Sequence, residues 1–211
     1  MSASDKFKNP TKRINELWQT DFTYFKIIDW GWYYLGTILY DYSRYILSCK
    51  LFTTMSVSDV KEVLDIALDK TGVDKVNVRH HPRLLSDNGP CYLSSELKDY
   101  LDDLGMDHTR GAPYHPQIQG KIERYHRTMK NVVKLQNYYF PGELEAKIEK
   151  FVDYYNNERY YESLHNMTPA EMYHGRRNYI LNEREIIKQK TMKKRRILNK
   201  KAGSISMQTT P

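Results

Sequence analysis

Asp21, Asp87 and Glu123 are the acidic residues of this chain whose settings point to chemistry rather than to solvation. Asp21 falls inside an aromatic and β-branched run, residues 17–26, that reads as a strand. Asp87 follows the short apolar run Arg83-Leu84-Leu85-Ser86 and opens the turn formers Asp87-Asn88-Gly89-Pro90. Glu123 lies beside the apolar stripe of a long helical segment. A carboxylate inside a strand is costly unless a cation compensates it. Three carboxylates from separate elements, able to meet at one edge of a sheet, make an oxygen-lined site for a hard divalent ion. Singly, each has an ordinary explanation: an edge-strand charge, a turn aspartate, a solvated helix residue paired with Arg127. Between Asp87 and Glu123 lie 35 residues, and Asp21 precedes Asp87 by 66.

The elements that must position these groups follow from hydrophobic pattern and turn chemistry. Residues 17–26, 32–40 and 45–52 read as strands joined by the short turns Asp29-Trp30-Gly31 and Asp41-Tyr42-Ser43-Arg44, which predicts an antiparallel meander. Ser56 or Ser58 caps a helix running to about Lys70 and stopped by Gly72. Residues 83–86 form a fourth strand, Ser94 starts a helix ending near Gly105, and 106–109 is a fifth strand. A loop with two prolines leads into a helix from Gln117 or Gly120 to Gln136, with Ile118, Ile122, Tyr125, Met129, Val132 and Val133 on one face. Residues 142–157 and the Thr168-capped segment at Pro169 add further helices. The order βββαβαβα, then more helices, predicts an α/β fold with a mixed five-stranded sheet, helices on both faces and extra C-terminal helices. The division expected is a polar lead at 1–13, a core at 14–176 and a basic, partly disordered tail at 177–211.

In this order the residues resemble the DDE-type catalytic core shared by retroviral integrases and bacterial insertion-sequence transposases, whose acidic triad is spaced D,D-35-E. Trp18-Gln19-Thr20-Asp21 and Ser86-Asp87-Asn88-Gly89 resemble its two aspartate motifs. Pro113-Tyr114-His115-Pro116-Gln117, Gly120-Lys121-Ile122-Glu123-Arg124 and Arg127-Thr128-Met129-Lys130 resemble its glutamate helix and lead-in. Tyr154-Tyr155-Asn156-Asn157-Glu158-Arg159 and Thr168-Pro169-Ala170-Glu171 look like the closing segment of the transposases, so the likeness covers residues 15–176. The resemblance implies a ribonuclease-H-like fold and a polynucleotidyl transferase that cuts DNA and joins the freed 3′-hydroxyl to target DNA. It implies two Mg²⁺ ions, with Mn²⁺ as substitute, held by Asp21, Asp87 and Glu123. It also implies a homo-oligomer, because two DNA ends must be brought together on double-stranded target DNA.

The charge distribution fits an anionic partner. The chain carries +7, but nine basic residues between 184 and 201 face only Glu185, so that stretch holds +8 and the remainder −1. On the glutamate helix, Lys121, Arg124, Arg127, Lys130 and Lys134 make the side away from the stripe cationic. We take Lys121, Arg124, Arg127 and Lys130 as candidate DNA contacts, with Arg127 and Lys130 nearest Glu123, and His115 as a loop contact. Cys49 and Cys91 sit in unrelated contexts and support neither a disulfide framework nor a zinc site. The polar N-terminus and the lack of any apolar run of about 20 residues argue against secretion and membrane insertion and for a cytoplasmic protein; the resemblance to insertion-sequence transposases implies a bacterial one, nucleoid-associated when active.

Only 20 residues precede Asp21, too few for a helix-turn-helix module and its linker. End recognition is therefore expected from a separate helix-turn-helix protein, a fused frame or an upstream segment. The alternative to an active transferase is a truncated, catalytically idle remnant that only binds DNA or the full-length transposase; a ribonuclease H proper is a third reading.

Overall fold

The aromatic run around Asp21 is a strand, β1 (Leu17–Ile27), the longest of the sheet. The computed structural model describes residues 11, 16–73, 75, 81–111 and 119–206, with 201–206 described by backbone alone. Asp29 and Gly31 turn the chain back in the left-handed region, at φ 64° and 89°. Strand β2 (Gly31–Tyr40) then pairs antiparallel with β1, and β3 (Ile46–Phe52) with β2. Two short parallel strands extend the other side, β4 (Arg83–Ser86) beside β1 and β5 (His108–Arg110) beside β4. The sheet is mixed and five-stranded, in the order β3-β2-β1-β4-β5. Pairing of β1 with β4 covers only Leu17 to Gln19. The sheet thus splits just before Asp21, which keeps Thr37 of β2 as its neighbour on the paired side.

Helices cover both faces, as the α/β pattern predicts. On one face lie α1 (Val57–Thr71), α2 (Pro90–Leu93) and α3 (Ser95–Asp103), packed with Trp18, Ile38 and Leu84 of the sheet. On the other lie α4 (Gly120–Val133) and α5 (Pro141–Asn157), packed with Phe25, Leu35 and Leu39. Alternation along β1 does this, sending Trp18 and Phe22 to the first core and Phe25 and Ile27 to the second. Ser56 and Asp59 close a reciprocal capping box on α1, and Gly72 ends it at φ 63°. Thr168 and Glu171 cap α6 (Pro169–Tyr173) in the same reciprocal way. Its Tyr173 ring stacks on Tyr45, 4.4 Å between centroids. The close approach of α1 to β2 depends on Gly36, where a Cβ would fall 2.9 Å from both Phe22 Cε1 and Val63 Cγ2.

Three local expectations are corrected. Pro90, read as the end of a turn, instead opens the single-turn helix α2, since proline at a first helical position forfeits no bond. On α4 the buried positions are Ile122, Tyr125, His126, Met129 and Val133, while Val132 is 40% exposed. The 3.6-residue period takes His126 under the helix and rotates Val132 off it. Ile118, of the predicted stripe, lies outside the described residues. The basic tail, expected to be partly disordered, is helix α7 (Arg177–Ser206). Its Arg, Lys, Gln, Ile and Leu content, with no glycine or proline before Gly203, favours helix over coil. The chain divides into two compact units, Met1–Tyr173 and His174–Pro211, and the second is exposed along most of its length. Among the described residues no helix is long and apolar enough to cross a membrane.

Candidate active site

Asp21 projects from β1 toward α4 and is held there. Its Oδ2 lies 3.3 Å from Nδ1 of His126, whose other ring nitrogen lies 3.3 Å from Thr37 Oγ1. Thr37 is the cross-strand partner of Asp21, so one imidazole clamps two adjacent strands to the helix. His126 is buried, which makes the clamp stiff. Lys130, one turn further along α4, feels the Asp21 charge, though burial and Lys134 together leave its ammonium below the ordinary lysine range.

Asp87 sits just past β4, where the sheet opens. The Gly89 N–H donates to its Oδ1 at 2.8 Å, the Asx turn that the Asp-Asn-Gly sequence predicts. Two further bonds brace this loop against β5: Asn88 Nδ2 donates to Gly111 O, and Ser86 Oγ meets His108 Nε2, both at 2.9 Å. Partial burial raises the Asp87 carboxyl above the usual carboxylate range; the Gly89 bond opposes this, and the Asp21 charge adds to it. The two aspartates are therefore near enough to repel. Behind them Tyr92 is buried, its hydroxyl 3.3 Å from Thr20 Oγ1 and its ring 6.3 Å from that of Phe22. Burial drives the Tyr92 hydroxyl well up, and the charges of Asp21 and Asp87 contribute.

Glu123 lies in the first turn of α4, exposed to solvent. Three residues place it about 4.5 Å along the helix axis from His126 and about 60° round it. Its carboxylate is not gathered with those of Asp21 and Asp87 into a cluster of three. Among the described residues, no three His, Cys, Asp or Glu side chains gather closely enough to hold a metal ion. What the structure does fix is the helix that carries Glu123. Gln19 Oε1 accepts from the Ile122 N–H at 3.1 Å, satisfying one of the orphan donors of the first turn. Gln19 Nε2 donates to Asp41 Oδ1 at 2.7 Å, and Asp41 also takes a bond from Thr11. Lys121 Nζ reaches Asp41 Oδ2 at 2.6 Å and its carbonyl at 2.9 Å.

That pairing changes the place of Lys121, expected to face DNA: its ammonium is engaged by a buried aspartate and anchors α4 instead. Arg124 and Arg127 are exposed as expected. Lys130 lies over the Tyr24 ring at 4.3 Å, with Lys134 at 5.8 Å. His126, Arg127, Lys130, Asn131, Lys134 and Leu135 line an open cleft of about 590 Å³ that carries three cationic side chains, and His126 on its wall contacts Asp21. His115 and the Pro113 to Gln117 lead-in lie outside the described residues. Sequence reasoning missed His126, Tyr92 and Asp41. His126 alone left a signal, a polar residue inside an apolar stripe three positions after Glu123.

Comparison with known proteins places this arrangement. One model of the integrase core domain matches residues 11–116, and a second integrase core domain model matches 104–169. The chain is 29% identical over 116 residues to the Gag-Pol polyprotein of Koala retrovirus, across 55% of this chain and 6% of that protein. It is 46% identical over 48 residues to the Gag-Pol polyprotein of bovine immunodeficiency virus, across 23% of this chain and 3% of that protein. The matched stretches thus span under a tenth of these relatives. A chain of the simian T-cell lymphotropic virus intasome, solved with a PP2A regulatory subunit, superposes with a TM-score of 0.63 and 23% identity, over 76% of this chain and 54% of that one. The HTLV-2 integrase catalytic core, solved with magnesium in a trimeric form, gives 0.59 and 20%, over 75% and 96%. The fold is ribonuclease-H-like, as these catalytic cores are. Since the first family model alone matches half of the sequence and the second carries the match to Pro169, this chain belongs to the integrase core domain family.

Proposed function

We propose that this chain is a DDE-type polynucleotidyl transferase that cleaves DNA strands and transfers them in DNA integration, with residues 14–176 as the catalytic core. The observation that carries the reading is the pair Asp21, on β1, and Asp87, just past the end of the parallel strand β4, with ionisation of Asp87 opposed by burial and by the Asp21 charge. The donor set fits a hard cation, since both groups offer carboxylate oxygens at the point where the sheet splits. Asp21, Asp87 and the exposed Glu123 are the ligands in this reading, for two Mg²⁺ ions with Mn²⁺ as substitute. Magnesium bound there supplies activation of the attacking oxygen and stabilisation of the leaving one. The chain itself does the positioning. His126 fixes the rotamer of Asp21, Tyr92 and Phe22 keep water from the rear of the site, and the Gln19–Asp41–Lys121 network sets the start of α4. Arg127 and Lys130 offer charge to the phosphates of double-stranded DNA entering the cleft. The same reading expects a homo-oligomer and a cytoplasmic location.

The test is a cleavage and strand-transfer assay on labelled duplex DNA with Mg²⁺ or Mn²⁺. Wild-type product is expected, lost by at least about a hundredfold in Asp87→Asn and in Glu123→Gln. DNA binding without any cut product would make the chain an idle remnant. Selective cutting of RNA–DNA hybrids would make it a ribonuclease H. Full activity in Glu123→Gln would remove Glu123 from the site.

A further inference from the structure

A second cationic group lies at the turn between β2 and β3 and the end of α5, and the carboxylates do not use it. Arg44 holds a left-handed backbone at φ 63°, an uncommon state for a residue with a Cβ. Its guanidinium carbon lies 5.0 Å from the centroid of the Tyr161 ring, and that of Arg159 lies 5.2 Å from the same centroid. The two cations are therefore separated by no more than the sum of those distances. Arg124, exposed on α4, is near enough that burial and its charge both lower the Arg44 guanidinium, burial contributing more.

The platform beneath them is built rather than incidental. Tyr161 N–H donates to Met167 O at 3.1 Å, and Asn166 N–H to Tyr161 O at 2.9 Å, closing a tight loop through left-handed His165 and Asn166. The Tyr161 ring meets Tyr155 edge-on at 5.6 Å, and Tyr155 meets Tyr125 of α4 at 4.9 Å, tying the platform into the core under α4. A guanidinium stacked on a ring keeps its N–H edge free for a planar or tetrahedral anion. Among the described residues none of the three arginines has a carboxylate within ion-pair distance. The carboxylate whose charge reaches Arg44 is that of Asp41, and its oxygens already accept from Lys121, Gln19 and Thr11.

We propose that Arg44 and Arg159, both lying over the Tyr161 ring, form a binding site for backbone phosphate of duplex DNA, separate from the acidic residues. This rests on DNA as the substrate and adds a contact that fixes the duplex relative to α4. The experiment measures binding of the 211-residue chain to a labelled duplex between about 50 and 200 mM salt. Arg44→Gln and Arg159→Gln are each expected to weaken binding about tenfold and to lower the slope of log K against log salt by about 1, regardless of DNA sequence. Arg159→Lys should keep the slope, because the charge remains, and recover only part of the affinity, because the fork is gone. Asp87→Asn should keep the full slope while losing cleavage. Unchanged affinity and slope in folded Arg44→Gln and Arg159→Gln would overturn the site. Should circular dichroism show either unfolded, Arg44→Lys and Arg159→Lys become the deciding variants, and affinity equal to wild type in both overturns the site. A wild type that cleaves DNA while these variants bind normally sinks this site alone. A wild type that binds no DNA sinks both this site and the transferase reading.

Discussion

At Asp87 stability and proposed function pull in opposite directions. Its folded pKa is raised, by partial burial first and by Asp21 in addition, so the folded chain holds the proton more tightly than the unfolded one. Stability attached to this group is full below the ordinary carboxylate value and is lost as pH rises through the raised one. At neutral pH the ionised carboxyl therefore works against the fold. Asp87→Asn is expected to melt at or above the wild-type temperature at about pH 7 in chelator and to show no gain at about pH 3, by scanning calorimetry. Magnesium or manganese should raise the wild-type melting temperature and leave the Asn variant unmoved. A variant less stable than wild type at neutral pH would mean that the Gly89 bond, not the burial and repulsion, decides the balance.

For the elements, the decisive joint is the start of α4. The helix lacks a side-chain cap of its own at Gln119, and Gln19 of β1 supplies one from the sheet by accepting from Ile122 N–H. Asp41 is buried and depends on Lys121 for its countercharge. Lys121→Ala removes the ammonium from that carboxylate, leaving it the Gln19 and Thr11 bonds, and should cost about 1.5–3 kcal/mol, the range for a hydrogen bond to a charged group. Chemical denaturation should show the midpoint fall with the slope unchanged. Because the same residue sets the turn carrying Glu123, turnover of a DNA substrate should fall as well, with the affinity for duplex DNA changed far less. A large drop in affinity with unaltered stability would return Lys121 to the DNA-contact role that its position on the cationic side of the helix predicts.

Over the whole molecule, charge is divided between two compact units. The stretch 184–201 carries +8 while the rest of the chain is close to neutral. A chain ending at Arg176 retains the unit that holds the sheet and both cores. It is expected to unfold cooperatively and to keep metal-dependent cleavage at low salt. Its binding to nonspecific duplex should weaken and its salt slope flatten by several units, as lost phosphate contacts release fewer counterions. An unchanged slope would show that α7 contributes nothing to DNA affinity.

Hydrophobic pattern, turn chemistry and residue spacing alone determined five strands, a first-helix cap at Ser56 or Ser58, the cap at Ser94, the Gly72 stop and the placement of Asp21, Asp87 and Glu123 on separate elements, and the structure chose Ser56. These are local properties: alternation, periodicity and φ preference act within a few residues of themselves. Tertiary structure decided which side chains meet. His126 under Asp21, Lys121 on Asp41, Gln19 across to Ile122 and Arg44 on Tyr161 join positions up to 117 residues apart, whose proximity depends on how the sheet splits and where α4 lands. No local rule encodes such pairs, because the burial that makes each one matter exists only after both cores have closed around it.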